Sequence, residues 1–124
     1  MGKFVVKATE KGARFNLLAG NGQVIATSQT YKALRSCLAG VESVRTNAPI
    51  AAVEDQTQED WKKEKCPKFQ VYQDKAGEFR FRLLAKNGQN ICHGEGYKAL
   101  KSCLSGIESV RKNAADGEVE QEEA

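Results

Sequence analysis

Some chemistries are missing from this sequence at the outset. No apolar run approaches the roughly 18 residues that a spanning helix needs, and the N-terminal stretch MGKFVVKATEKG has no apolar signal-peptide core. The expectation is therefore a cytoplasmic chain that does not insert into a membrane. Histidine occurs once, at His93, which excludes any site needing two imidazoles from one chain. The four cysteines, at 37, 66, 92 and 103, include no C-x-x-C pair, so neither a zinc cluster nor a thioredoxin-type redox motif is written here. There is no Walker loop, no G-x-G-x-x-G and no metal-ligand cluster. No cofactor is implied.

What is present is a duplication. Residues 13–48 align with 79–114 at a constant offset of 66, and 23 of the 36 pairs are identical. The strongest match is YKALRSCLAGVESVRTNA (31–48) against YKALKSCLSGIESVRKNA (97–114), preceded by RFNLLAGNGQ (14–23) against RFRLLAKNGQ (80–89). Phe4-Val5-Val6 matches Phe69-Gln70-Val71 at an offset of 65, so one residue is added near Ala76-Gly77. Beyond the helix the offset of 66 pairs Val53-Glu54 with Val119-Glu120.

Each copy reads as three strands and a helix. Phe4, Val6 and Ala8 alternate with Val5 and Lys7; Phe79, Phe81, Leu83 and Ala85 alternate with Arg80, Arg82 and Leu84. Lys11-Gly12 and Ala76-Gly77 mark the first hairpins. Asn21-Gly22 and Asn87-Gly88 mark the second ones and predict type I′ turns, in which both central residues take positive φ. Third strands follow at 24–27 and 90–93. Helices are expected from Tyr31 and Tyr97, with apolar stripes Leu34, Cys37, Leu38, Val41, Val44 and Leu100, Cys103, Leu104, Ile107, Val110. Pro49 stops the first helix. Gly40 and Gly106 stand within the stripe regions as points of close approach.

A unit of about 50 residues cannot bury enough surface alone, and its sheet edges stay open. The expected fold is α+β: two tandem β-β-β-α(-β) repeats forming one antiparallel sheet, with two helices packed on one face and an internal pseudo-two-fold axis. Short C-terminal strands at Ile50–Val53 and Glu118–Val119 can cross to the other repeat and tie the halves together. The expected divisions are 1–53 for the first repeat, 54–66 for the connection, 67–119 for the second repeat and 120–124 for an acidic tail. The tandem arrangement supplies internally what a dimer would, so a monomer is expected.

The order of a hairpin ending in Asn-Gly, an isoleucine strand and Y-K-A-L-x-S-C-L-x-G-[VI]-E-S-V-R-x-N-A resembles the YegP-like family of small bacterial and archaeal proteins. The resemblance covers nearly all of 4–53 and 69–114. That family carries Ser-Glu-Gly before the helix tyrosine; here Ser28-Gln29-Thr30 keeps the Ser and Gly94-Glu95-Gly96 keeps the Glu-Gly. The resemblance implies one antiparallel sheet with exchanged C-terminal strands, and it implies no activity.

Charge is divided along the chain. Residues 1–48 and 67–114 each carry a net +5, the connection 49–66 carries −2, and the last ten residues carry −5. Strand parity puts Lys7, Arg14, Tyr72, Arg80 and Arg82 on the sheet face away from the helices. Such a face can stack bases and hold phosphates, and the same residues also serve as a plain solvated exterior. No RNP signature is present. Glu118–Glu123 can fold back on the basic surface and compete with an anion.

The leading functional expectation is a small non-enzymatic binding or interaction module of unknown partner. The alternative is nucleic-acid or other anion binding through Lys7, Arg14, Tyr72, Arg80 and Arg82, and the third is a small-molecule site or enzyme at the pseudo-two-fold axis. His93 and Cys92 are adjacent on a strand and so point to opposite faces. Cys37 and Cys103 read as buried apolar groups that could meet across the axis, and Cys66, in the connection, as a surface thiol.

Overall fold

A computed structural model describes residues 2–123; Met1 and Ala124, the outer ends of the first repeat and of the acidic tail, lie outside the described residues. The first repeat contributes β1 (Lys3–Thr9), β2 (Gly12–Leu18), β3 (Val24–Ser28), α1 (Leu34–Asn47) and β4 (Ala52–Asp55). The second contributes β5 (Lys68–Gln73), β6 (Phe79–Leu84), β7 (Asn90–His93), α2 (Leu100–Ala115) and β8 (Glu118–Glu123). All eight strands join one sheet in the order β4-β5-β6-β7-β3-β2-β1-β8. The pseudo-two-fold axis passes between β3 and β7, which pair antiparallel through Thr27 with His93 and Ser28 with Cys92.

The alternation read in the strands places Phe4, Val6, Phe15, Leu17, Phe69, Val71, Phe81 and Leu83 on the helix side, all at most 1% exposed. They pack under Cys37, Val41 and Val44 of α1 and Cys103, Ile107 and Val110 of α2, each fully buried. Phe4 meets Phe15, and Phe69 meets Phe81, edge to face with ring centroids 5.7 and 6.0 Å apart. Both helices thus cover one face, as the pattern required.

The last strand of each repeat crosses to the other repeat. β4 pairs with β5, and β8 pairs with β1, in both cases in parallel. The sheet is therefore mixed, antiparallel through its six inner strands and parallel at each edge. Parallel neighbours need a connection of a dozen or so residues to bring the chain back to the same end, and the strap of residues 56–67 supplies it between β4 and β5.

One residue of the duplicated E-S-V-R-x-N motif holds each crossing in place. Arg111 of α2 donates from Nε to the Ala48 carbonyl at 3.2 Å and from a terminal nitrogen to the Ala51 carbonyl at 2.6 Å, just before β4. Its guanidinium lies 5.4 Å from the centre of the Phe69 ring. Arg45 of α1 does the same for the other crossing, donating to the Gly117 carbonyl just before β8 and lying 5.4 Å from the Phe4 ring. Arg45 and Arg111 also contact Glu42 and Glu108, one turn back on their own helices. These arginines belong to the fold, not to a solvated helix face.

Two local expectations change. The helices start at Leu34 and Leu100, not at the tyrosines. The backbone of Tyr31 exchanges two hydrogen bonds with Ala13, at 2.7 and 2.8 Å, and Tyr97 does so with Phe79, so these residues are still extended. The Asn-Gly loops are not type I′, because Asn21 and Asn87 keep negative φ while Gly22 and Gly88 stand at +87° and +86°. Gly22 N–H donates to Ala19 C=O and Ala19 N–H to Gln23 C=O, which makes a three-residue loop closed by a left-handed glycine. The extra residue of the second copy lengthens its first loop: Thr9 pairs directly with Gly12, whereas Asp74 closes onto Glu78.

Gly40 is a close-approach point: a Cβ there would lie 2.5 Å from the Tyr31 hydroxyl oxygen and 3.2 Å from the Phe15 ring. Gly106 stands in the same relation to Tyr97 and Phe81.

Replacing Arg111 with Ala leaves the Ala48 and Ala51 carbonyls without their charged donor. The expected loss is about 2–3 kcal/mol of folding stability, read from the urea midpoint of the full chain. Lys98→Ala, on the exposed part of the second copy, should change stability by less than about 0.5 kcal/mol.

Candidate functional site

The face of the sheet away from the helices carries the five residues singled out by strand parity, and it is built from cross-strand rows. One continuous row runs Glu120, Val5, Asn16, Thr27, His93, Arg82, Gln70 and Glu54 across all eight strands. His93 is exposed on this face, and Cys92 is fully buried on the other.

The structure divides the five residues into two groups. Tyr72 and Arg80 are direct cross-strand partners, and the Arg82 guanidinium stacks 4.7 Å from the Tyr72 ring centre. Lys7 and Arg14 are direct partners on β1 and β2. Three strand spacings separate β2 from β6, roughly 14 Å across the sheet. The five therefore do not converge on one site.

Most of these cations already have partners. Arg80 Nε donates to Asp74 Oδ2 at 2.5 Å, with Glu78 at 3.8 Å, and this hydrogen bond holds the Asp74 carboxyl below its usual range. Arg82 Nε donates to Gln70 Oε1 at 2.6 Å. Lys7 stands in register beside Glu122 of β8. Arg14 is exposed, and with Lys7 and Lys11 it lines a shallow cleft of about 270 Å³ by the first hairpin.

The acidic end of the chain is an ordered edge strand. Glu118, Glu120 and Glu122 alternate onto the outer side of β8, beside Lys3, Val5 and Lys7. Lys3 Nζ lies 2.9 Å from Glu120 Oε2, and this contact raises the pKa of Lys3. The segment does fold back on the basic sheet, as a strand at its edge and not as a loose tail.

At the opposite edge the connection becomes a strap. Lys68 and Glu54 form an ion pair at 2.6 Å with side chains only 4% and 1% exposed. Glu54 Oε2 also accepts the Glu64 N–H at 2.8 Å, while Oε1 accepts from Gln56 at 2.7 Å and Gln70 at 3.0 Å. Lys68 Nζ donates further to the Glu64 carbonyl at 3.0 Å. Burial opposes ionisation of Glu54, but the four donors outweigh it and bring the carboxyl from about 4.5 down to about 2. The expected connection began at Glu54, but β4 runs on to Asp55 and Glu54 is a buried strand residue. The only signal that could have found the pair was its alignment with Glu120 and Lys3.

The remaining groups are dispersed. All four cysteines are free thiols. Burial pushes Cys92 up to about 12 and Cys103 up to about 11, so neither is a thiolate near neutral pH. Cys66 is half-buried at the foot of the strap. Among the described residues no cluster of three His, Cys, Asp or Glu side chains is placed to hold a metal. No helix among them is long and apolar enough to cross a membrane. On the helix side a cleft of about 580 Å³ opens between α1 and the β6–β7 loop, lined by Gln29, Tyr31, Ser36, Ser43 and Gln89 among others. Those groups are hydroxyls and amides, and the cleft lies off the pseudo-two-fold axis.

A repeated three-strand-and-helix unit with exchanged last strands is an architecture already seen in solved structures. A solution structure of the Escherichia coli protein yegP, described as of unknown function, superposes with a TM-score of 0.79 at 30% identity, covering 99% of this chain and 94% of that one. A UPF0339 protein of Shewanella oneidensis gives 0.79 at 27% identity, covering 98% and 92%. The chain belongs to the family described as Domain of unknown function (DUF1508), which matches it twice, over residues 8–55 and 74–121. A UPF0339 protein of Bordetella pertussis is 37% identical over 113 residues, 91% of this chain and 88% of that one. A UPF0339 protein of Stutzerimonas stutzeri is 65% identical over 48 residues, and the match spans 43% of that relative's length. The family resemblance read from the helix motif is thereby established, and it brings no assigned activity.

Glu54 contributes stability that is present above its unfolded pKa near 4.5 and is lost as pH falls toward about 2. The shift corresponds to about 3 kcal/mol. Urea midpoints measured at pH 7 and pH 3 should show this loss in the native protein. Glu54→Gln, already destabilised at pH 7, should show a clearly smaller drop.

Proposed function

We propose that the chain is a small non-catalytic protein-interaction module working through the outer face of its sheet. The observation that carries this reading is the interleaving of carboxylates among the cations of that face. Glu120 and Glu122 stand beside Lys3 and Lys7, Asp74 and Glu78 beside Arg80, and Gln70 beside Arg82. A polyanion needs a track of unpaired positive charge. A surface of alternating sign, with neutral hydrogen-bonding groups between, suits a polypeptide, whose backbone offers both donors and acceptors. The reading extends to a monomer in the cytoplasm: the exchanged strands join the halves within one chain, and four unpaired thiols suit a reducing compartment.

A second reading rests on the cleft lined by Lys7, Lys11 and Arg14, which offers three cations to a phosphate-bearing ligand. The discriminating measurement is a fluorescence-polarisation titration with mixed single-stranded DNA and RNA oligomers at about 50 and 200 mM salt, because phosphate contacts weaken steeply over that range. Interaction through the balanced face predicts no oligomer binding at either salt. Micromolar binding that falls with salt, and with Lys7→Ala/Arg14→Ala or Arg80→Ala/Arg82→Ala, would overturn it.

A further inference from the structure

We propose that the groove over β1 and β8 is a docking site for an extended, lysine-bearing peptide segment of a partner protein, held by Lys3 and Glu120 as the strap is held by Lys68 and Glu54. This rests on the interaction reading above and specifies the place and the chemistry of the partner.

The two edges of the sheet are built to one plan. Lys3 lies between Leu18 and Glu118 as Lys68 lies between Leu84 and Ala52, and Glu120 lies beside Val5 as Glu54 lies beside Gln70. Leu18 pairs with Val24 as Leu84 pairs with Asn90. At the β4–β5 edge this arrangement is occupied. One strap residue, Glu64, gives its N–H to Glu54 at 2.8 Å and takes a hydrogen bond from Lys68 on its carbonyl at 3.0 Å. The lysine–glutamate pair thus reads both polar groups of a single backbone residue, whatever its side chain.

At the β1–β8 edge the same pair exists at 2.9 Å, but its side chains are 48% and 55% exposed against 4% and 1% at the other edge. It lines a groove of about 370 Å³ together with Val5, Asn16, Leu18, Val24 and Glu122. Val5 and Val24 replace the strap-side Gln70 and Asn90, so this groove has a more apolar wall, and Val24 is 36% exposed. The occupant must place an apolar side chain on that wall and set one residue's N–H and C=O against Glu120 and Lys3.

Charge fixes the rest of its chemistry. Glu118, Glu120 and Glu122 give the rim three carboxylates beside Lys3 and Lys7, and in the strap, net neutral over 56–67, Lys62, Lys63 and Lys65 stand directly around the clamped Glu64. A peptide of that kind matches the rim. The chain's own strap is already bound at the far edge, seven strand spacings or roughly 33 Å away, so the segment comes from another molecule.

The test uses the full-length protein, labelled with nitrogen-15, and a synthetic twelve-residue peptide with the sequence of residues 56–67 carrying Cys66→Ser. The peptide is titrated to about 2 mM, enough to register millimolar affinity. The expected result is saturable movement of the Lys3, Val5, Leu18, Val24 and Glu120 amide signals while Glu54 and Lys68 stay still. Glu120→Gln, an exposed substitution, should weaken the peptide at least tenfold, and so should a peptide with glutamates at the three lysines. Absence of movement overturns the proposal. So does movement at Glu54 and Lys68, which would mean strap displacement, and so does movement at Lys3 and Glu120 on concentrating the protein alone, which would seat a second copy there. Saturable movement elsewhere on the outer face would sink the groove yet leave the interaction reading standing, whereas salt-sensitive oligonucleotide binding would sink that reading itself.

Discussion

Two guanidinium groups hold the crossings that tie the two repeats into one sheet. Arg45 and Arg111 leave opposite helices and bind the backbone carbonyls of the segment that carries each last strand into the other repeat. Those carbonyls lie where the chain is in neither helix nor strand, and a buried acceptor there without a donor is costly. With several N–H groups, Arg111 satisfies two of them from one side chain and Arg45 satisfies one, and each guanidinium lies against a core phenylalanine at the same time. With the crossings fixed, six antiparallel strands gain two parallel edge strands, and neither repeat keeps its first strand exposed.

The edges show how nearly identical halves acquire different properties. Each ends in a lysine–glutamate pair at matching register. In the second half the chain continues into the strap, which supplies an N–H and a carbonyl, removes water, and turns the pair into a buried ion pair with every charge hydrogen-bonded. Such a pair is sustained only by that full set of partners. In the first half none of the described residues passes over the pair, and its side chains stay 48% and 55% exposed. Duplication supplied the chemistry twice, and the path of the connection made use of it once.

The acidic ends have a comparable double role. An exposed edge strand invites pairing with another sheet, and charge along it opposes that. Glu118, Glu120 and Glu122 do this on β8 while offsetting Lys3 and Lys7 on the neighbouring strand. The outer face thus carries charges of both signs side by side, and they do not gather into one basic surface.

The duplication, the three-strand-and-helix order, most of the buried set and the placing of both helices on one face were legible in the sequence, because each depends on periodicity and on alignment of the chain with itself. Of the expected stripes, Leu34 is 36% exposed and Leu38, Leu100 and Leu104 are only half-buried, since they lie at the edge of the face that meets the sheet. The chance of strand exchange was legible too, from short strand-like segments after each helix. The helix starts and the loop type were not, since the tyrosine backbones are held by Ala13 and Phe79, and a three-residue loop needs only one left-handed residue. Strand parity placed Lys7, Arg14, Tyr72, Arg80 and Arg82 on the outer face. It could not show that they fall into two groups, because their separation is set by the order of strands between them. Arg45, Arg111, Glu54 and Lys68 took their roles only in the tertiary structure. Each is a charged residue whose partner lies 14 to 72 positions away in the chain, and a local pattern carries no information about a contact made by a crossing strand or a returning strap.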